Sequence, residues 1–131
     1  MRIFKNKEFH RWAVDENLTD QELIKAINDI NLGSYEANLG GGIYKKRMAI
    51  GGKGKSGGVR TIVAFKANNN VFFIYGYAKN VRSNITKREE LALKALAKIY
   101  FGYSEEQIDC AIKTGQLFEV KDEKVNSRKY T

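Results

Sequence analysis

Lys45, Lys46, Arg47, Arg60, Tyr77, Lys79 and Arg82 are the residues of this chain whose types and spacing could carry chemistry, together with Lys53 and Lys55 in a glycine-rich stretch between them. Nearly all are cations. Residues 37–88 hold eleven Lys/Arg and no Asp or Glu, a net charge of +11, whereas residues 1–36 carry a net −2 and residues 89–131 a net −1, which together give the +8 of the chain. Clustered charge of one sign is the footprint of a polyanion-binding face. The central stretch lacks the amphipathic helical pattern of an interfacial membrane anchor, so nucleic acid is the expected partner. Solubility alone would not require every acid to be removed over so long a stretch.

The missing residue types narrow the chemistry further. With one histidine, His10, a two-histidine acid–base ribonuclease cannot be built within one chain, and His10 reads as a surface residue of a first helix. The single cysteine, Cys110, allows neither an internal disulfide nor a Cys/His zinc site. The acid-free middle offers no carboxylates to hold metal ions, so neither metal nor cofactor is expected. What remains is Lys, Arg and Tyr, and these suffice to cleave RNA if the 2′-hydroxyl is aligned in line with its own phosphate. A lysine whose pKa is lowered among other cations can accept the hydroxyl proton. Arginines can stabilise the extra charge on the phosphorane, and another cation can assist the leaving 5′-oxygen. The sequence Gly54-Lys55-Ser56 invites a phosphate-loop reading, but Ala49 stands where the leading glycine belongs and a β-rich run follows instead of a helix. A flexible cationic hairpin tip is the better reading.

The elements that must position these side chains are short. Asn6 can cap a first helix carrying Phe9, Trp12 and Ala13 on one face, and Thr19-Asp-Gln-Glu22 is a capping box opening a second helix with Leu23, Ile24, Ile27 and Ile30. The two are expected to form a helical hairpin. The pattern then turns to β-rich runs over 43–50, 59–65 and 71–78, whose short links imply antiparallel neighbours. Capping boxes at Thr86–Glu89 and Ser104–Gln107 open two further helices, and 117–120 reads as a last strand. Alternation along the strands places Lys45 and Arg47 on one face and Lys46 on the other with Tyr44 and Met48, and makes Phe73, Tyr75, Tyr77 and Lys79 co-facial. Cations interleaved with rings on a sheet suit RNA, because bases stack on rings while Lys and Arg hold phosphates.

The fold class expected is therefore α+β: an N-terminal helical hairpin packed on a small antiparallel sheet, followed by C-terminal helices. Residues 1–120 should form a single domain and 121–131 a flexible polar tail. Charges interrupt the first thirteen residues and no apolar run approaches a membrane span, so a cytoplasmic location is expected.

Three runs carry a likeness to a known family: Gly-Ile-Tyr-Lys-Lys-Arg-Met-Ala (42–49), Gly-Lys-Ser-Gly-Gly-Val-Arg-Thr-Ile-Val-Ala-Phe (54–65) and Phe-Phe-Ile-Tyr-Gly-Tyr-Ala-Lys-Asn (72–80), followed by Asn84-Ile-Thr and a Glu-rich helix. The chain resembles, over about residues 1–120, the RelE-like toxins of bacterial type II toxin–antitoxin modules, near the HigB-like branch. The resemblance implies metal-free cleavage of messenger RNA, usually on the ribosome, and inhibition by a cognate antitoxin, expected to be a helix-turn-helix DNA-binding protein; the +11 stretch predicts that this antitoxin carries an acidic segment. It carries catalytic roles to Lys45, Arg47, Arg60 and Lys79; the chain's own pattern of cations and rings adds Tyr77 to these and gives RNA-binding roles to Lys46, Lys53, Lys55 and Arg82. The chain departs from the pattern at Asn80, where RelE has an arginine, and at Thr86, near the place of a C-terminal tyrosine. Tyr77, Arg82, Lys53 and Lys55 are the substitutes it offers. The related ParE toxins share the fold but act on DNA gyrase without cutting RNA, and an RNA-binding module without chemistry is a third reading.

Overall fold

A computed structural model describes residues 1–49 and 58–122 of the chain. The element order is β1 (Ile3–Asn6), α1 (Lys7–Asp15), α2 (Asp20–Asn31), β2 (Ala37–Gly40), β3 (Ile43–Met48), β4 (Val59–Ala64), β5 (Val71–Ala78), α3 (Lys87–Phe101), α4 (Glu105–Lys113) and β6 (Leu117–Glu119). Each helix starts where a side chain takes over a backbone amide that the helix itself cannot satisfy. Asn6 accepts from the Phe9 N–H at 2.9 Å, and Thr19, Thr86 and Ser104 each close a reciprocal capping box with Glu22, Glu89 and Gln107. Each such cap stabilises its helix by about 1 kcal/mol.

The six strands form one sheet in the order β2-β3-β4-β5-β1-β6. From β2 to β5 the neighbours are antiparallel, as the short links require, but β1 pairs parallel with β5 and antiparallel with β6. The expected purely antiparallel sheet is thus corrected to a mixed one. The reason lies in β1, a four-residue strand that inserts the N-terminus between β5 and the edge strand β6, where Phe4 is fully buried and stacks on Phe72.

Helices cover both faces of the sheet. On one face α1 and α2 bury Phe9, Ala13, Leu23, Ile27 and Ile30 against Met48, Val59, Val63, Val71 and Phe73. On the other, Ala97 of α3 and Ile108 of α4 seal Phe4, Ile43, Ile62, Ala64, Phe72, Ile74 and Leu117. Burying each of these large side chains contributes about 1.5–3 kcal/mol. Between Ile62 and Val63 the register with β5 shifts, Ile62 facing Tyr75 and Val63 facing Phe73. The extra residue in β5 is a β-bulge, and it resets the alternation. Phe73 therefore packs under α1 while Tyr75 lies on the opposite face, so the expected co-facial row of Phe73 with Tyr75 and Tyr77 is not formed.

Candidate nucleic-acid interface

Helices α3 and α4 cover only part of their face. Ile43 of β3 and Ile62 of β4 lie beneath this layer, and the same faces of those strands continue past it to Lys45, Arg47 and Arg60. Arg47 and Arg60 are direct partners across the β3–β4 ladder, and Arg60 in turn faces Tyr77 of β5. After the bulge, Tyr75 and Tyr77 stand on this face with ring centroids 6.2 Å apart. The structure thus gathers Lys45, Arg47, Arg60 and Tyr77 on one patch of sheet. Arg82, from the turn after β5, leans over the Tyr77 ring at 5.8 Å and donates to the Tyr75 hydroxyl at 3.1 Å. Lys79 sits at the strand end, exposed, with its ammonium on the Ser83 carbonyl at 3.1 Å.

Two expected members lie elsewhere. Lys46 points to the opposite face, where it pairs with Asp29 of α2 at 3.3 Å, so it is not part of this patch. Lys53 and Lys55 fall outside the described residues. Of the two positions where the chain departs from the family pattern, Asn80 is exposed and Thr86 is the N-cap of α3.

The sequence window free of acids does not produce a patch free of acids. Glu36, one residue before that window opens, places one carboxylate oxygen 2.8 Å from Arg60 Nε and the other 3.2 Å from Lys45 Nζ. At the other end Glu89, one residue after the window closes, holds the Arg82 guanidinium through both of its oxygens. The partners of Lys45 are a carboxylate and an amide rather than other cations: Glu36 and, at 3.3 Å, Asn84 Oδ1. Asn84 Oδ1 also takes the Ile85 N–H at 2.8 Å and lies 3.5 Å from the Tyr77 hydroxyl. Neither Glu36 nor Asn84 was singled out as a site residue. The available signal was positional, since both flank the strands that carry the cations.

Electrostatics follow from these partners. Burial pushes the Glu36 carboxyl up, but the hydrogen bond from Lys45 and the charge of Arg60 more than offset this and leave it below its ordinary value. Glu36 is thus ionised at neutral pH. Burial, with the Glu36 charge second, raises the Tyr77 phenol above its ordinary value, so it remains a proton donor. The hydrogen bond from Arg82, supported by the Thr86 N–H, brings Glu89 down to about 2. His10, expected at the surface, is half-buried: its ring stacks on Phe118 at 3.8 Å, and burial followed by the charge of Lys5 lowers its pKa. It lies on α1, under the opposite face from the cationic patch.

The arrangement is that of an α+β protein with a cationic, tyrosine-bearing patch on one sheet face, in which Arg60 and Tyr77 are buried and Arg47 is exposed. A family model described as "RelE toxin of RelE / RelB toxin-antitoxin system" matches residues 1–120, and the chain belongs to that family of toxins. Membership implies a cognate antitoxin. No curated protein matches the chain at a significant level. Among the described residues no helix is long and apolar enough to cross a membrane.

Proposed function

We propose that this toxin is a metal-independent endoribonuclease that cuts messenger RNA, bound on the translating ribosome in the cytoplasm, and that its fold is the RelE-like one. The observation that carries the reading is the convergence of Lys45, Arg47, Arg60 and Tyr77 from three adjacent strands onto the part of the sheet that α3 and α4 leave open. Arg60 and Arg47 hold the scissile phosphate and stabilise the charge that builds on it during attack by the 2′-oxygen. Glu36 is the carboxylate that pairs with Arg60 and Lys45. Once a phosphate draws Arg60 and Lys45 toward itself, Glu36 becomes a stronger base and accepts the 2′-hydroxyl proton. The 5′-oxygen leaves with a proton from Tyr77 or Lys79, and a 2′,3′-cyclic phosphate remains. Tyr75 offers a ring face to a neighbouring base, while Tyr77 is buried beneath Arg82; Arg82 adds a phosphate contact, and Lys53 and Lys55 are proposed to add more.

Rigid strands suit this task, because the in-line geometry must be held closely for proximity to count. The antitoxin is proposed to carry an acidic segment that covers the patch, joined to a helix-turn-helix DNA-binding part. Incubation of the purified protein with RNA, with and without translating ribosomes, tests the reading: cleavage restricted to ribosome-bound message is expected. Binding without cleavage would leave a non-catalytic RNA-binding module, and gyrase inhibition without cleavage a ParE-like toxin.

A further inference from the structure

A second cationic depression lies at the far end of the β3–β4 hairpin from the patch. It has a volume of about 680 Å³ and is lined by Gly41, Gly42, Lys66, Lys94, Lys98 and Phe101, among others. Arg60 and Lys66 are six residues apart, at most about 20 Å at ~3.3 Å per residue, and the nearest members of the two sites, Lys45 and Gly42, are three residues apart, about 10 Å.

The depression has a floor of bare backbone. Gly40, Gly41 and Gly42 have φ values of 85°, 64° and 82°, a run that side chains rarely adopt. The space is closed to side chains as well: a Cβ on Gly42 would stand 2.8 Å from the Phe101 ring, and one on Gly41 3.2 Å from the Lys94 stem. Three ammonium groups surround this floor. Lys94 is shared with Glu90 at 3.1 Å, and the Lys66 ammonium rests 4.8 Å from the centre of the Phe101 ring, which neutralises no charge. Lys66 and Lys98 are exposed and have no carboxylate partner among the described residues.

We propose that this depression is a second phosphate site, which takes one phosphodiester of an RNA strand away from the cleavage patch; it rests on the reading of this toxin as an RNA-binding protein. Phosphate positioning calls for cations and close approach of backbone, and both are present here. A protein partner would need apolar side chains to bury, and among the lining residues only Ala95 and Phe101 supply them, the rest of the lining being glycine backbone and lysine. The shared chemistry is a phosphodiester, from the message itself or from ribosomal RNA.

The test uses the full chain and the double substitution Lys66→Gln/Lys98→Gln, which alters only exposed side chains. Inorganic phosphate titrated against the wild type is expected to shift the amide resonances of Gly41 and Gly42, and to shift them much less in the variant. This readout does not depend on RNA cleavage, so it separates failure of the site from failure of the nuclease reading. With a single-stranded RNA oligonucleotide or with ribosomes, binding by the variant should depend less on salt, the slope of log K against log salt falling by about 0.7 for each phosphate that is no longer neutralised. A smaller slope with the oligonucleotide assigns the site to message, and a smaller slope with ribosomes alone assigns it to ribosomal RNA. No movement of Gly41 and Gly42 with phosphate overturns the proposal. So do unchanged slopes with both RNAs, or a response to an Asp/Glu-rich peptide but not to phosphate.

Discussion

Glu36 and Arg60 are joined by a hydrogen bond of 2.8 Å from Nε to a carboxylate oxygen, although Arg60 belongs to a stretch with no acid of its own. Lys45 completes the pair into a triad at 3.2 Å. Replacement of Glu36 by Gln keeps the shape of this group and removes its charge. If Glu36 accepts the 2′-hydroxyl proton, cleavage by Glu36→Gln should fall about 10²- to 10⁴-fold, the usual worth of a general base, with the acid limb of the pH–rate profile lost. RNA affinity should hold or rise, because two cations lose their internal competitor. Parent-rate cleavage by this variant would leave Glu36 a purely structural ion-pair partner.

Arg60 is buried to 7% exposure, so its loss affects more than chemistry. The Arg60→Ala variant should cleave about tenfold to a thousandfold more slowly, the cost of removing one favourable charge beside the developing phosphorane. It should also lose about 1–3 kcal/mol of stability, since Glu36 forfeits its shortest partner. Adding Glu36→Gln should recover part of that stability in urea melts without restoring the rate. A double variant that regains both would place Arg60 outside the reaction.

Much of the scaffold was legible from sequence because its signals are local. The three capping boxes start helices where Thr19, Thr86 and Ser104 stand, and the strands of the β3–β4–β5 meander lie within two residues of their expected ends. Strands β1 and β2 were not legible. Each has four residues, Lys5 interrupts the first, and the second is the Ala-Asn-Leu-Gly segment, so neither presents a β pattern. Parallel pairing of β1 with β5 joins residues nearly seventy positions apart, which no periodicity reveals. The same limit hid the acids of the patch. A window of sequence shows which charges are neighbours along the chain, whereas Glu36 and Glu89 neutralise cations across strands and turns. The bulge in β5 is likewise invisible to a strict two-residue alternation, yet it decides that Tyr75 and not Phe73 joins Tyr77.

Acid should unfold the protein partly through Glu89. Its carboxyl sits at about 2 in the fold, held by Arg82 and the Thr86 cap, against an ordinary value of 4.5. A depressed carboxylate contributes stability that is complete above the unfolded value and is lost as pH falls toward the folded one. Thermal unfolding between pH 6 and pH 2 should therefore show Tm falling below about pH 5, and Glu89→Gln should flatten that fall while lowering Tm at neutral pH. An unchanged acid limb in Glu89→Gln would shift the effect to Glu36 and Glu119, whose pKa values are also lowered.

Gly76 of β5 lies directly against the Trp12 ring of α1. A Cβ there would collide with the six-membered ring of Trp12. Gly76→Ala should destabilise by about 1–3 kcal/mol or more through overpacking, and Trp12→Leu should relieve part of this, giving a non-additive pair in a double-mutant cycle. Because Tyr75 and Tyr77 flank Gly76, the single variant should also disturb the patch and lower cleavage, and the double variant should restore it.

Antitoxin binding offers the strongest contrast between the two surfaces of the molecule. An acidic segment laid over the patch would compete with Glu36 for Arg60 and Lys45 and with Glu89 for Arg82, so its pull is smaller than a net +11 suggests. Arg47 and Lys79, both exposed and without a carboxylate partner among the described residues, remain to steer it. The terminal helices belong to segments of net −2 and −1 and give no such attraction. Direct covering predicts association that slows markedly as salt rises, with a smaller effect on dissociation. Hydrogen exchange of the toxin–antitoxin complex should then show protection within residues 43–82, strongest at the patch. Protection confined to residues 6–33 or 87–115, with 43–82 unchanged, would mean that the antitoxin inhibits from the helices by blocking entry to the ribosome.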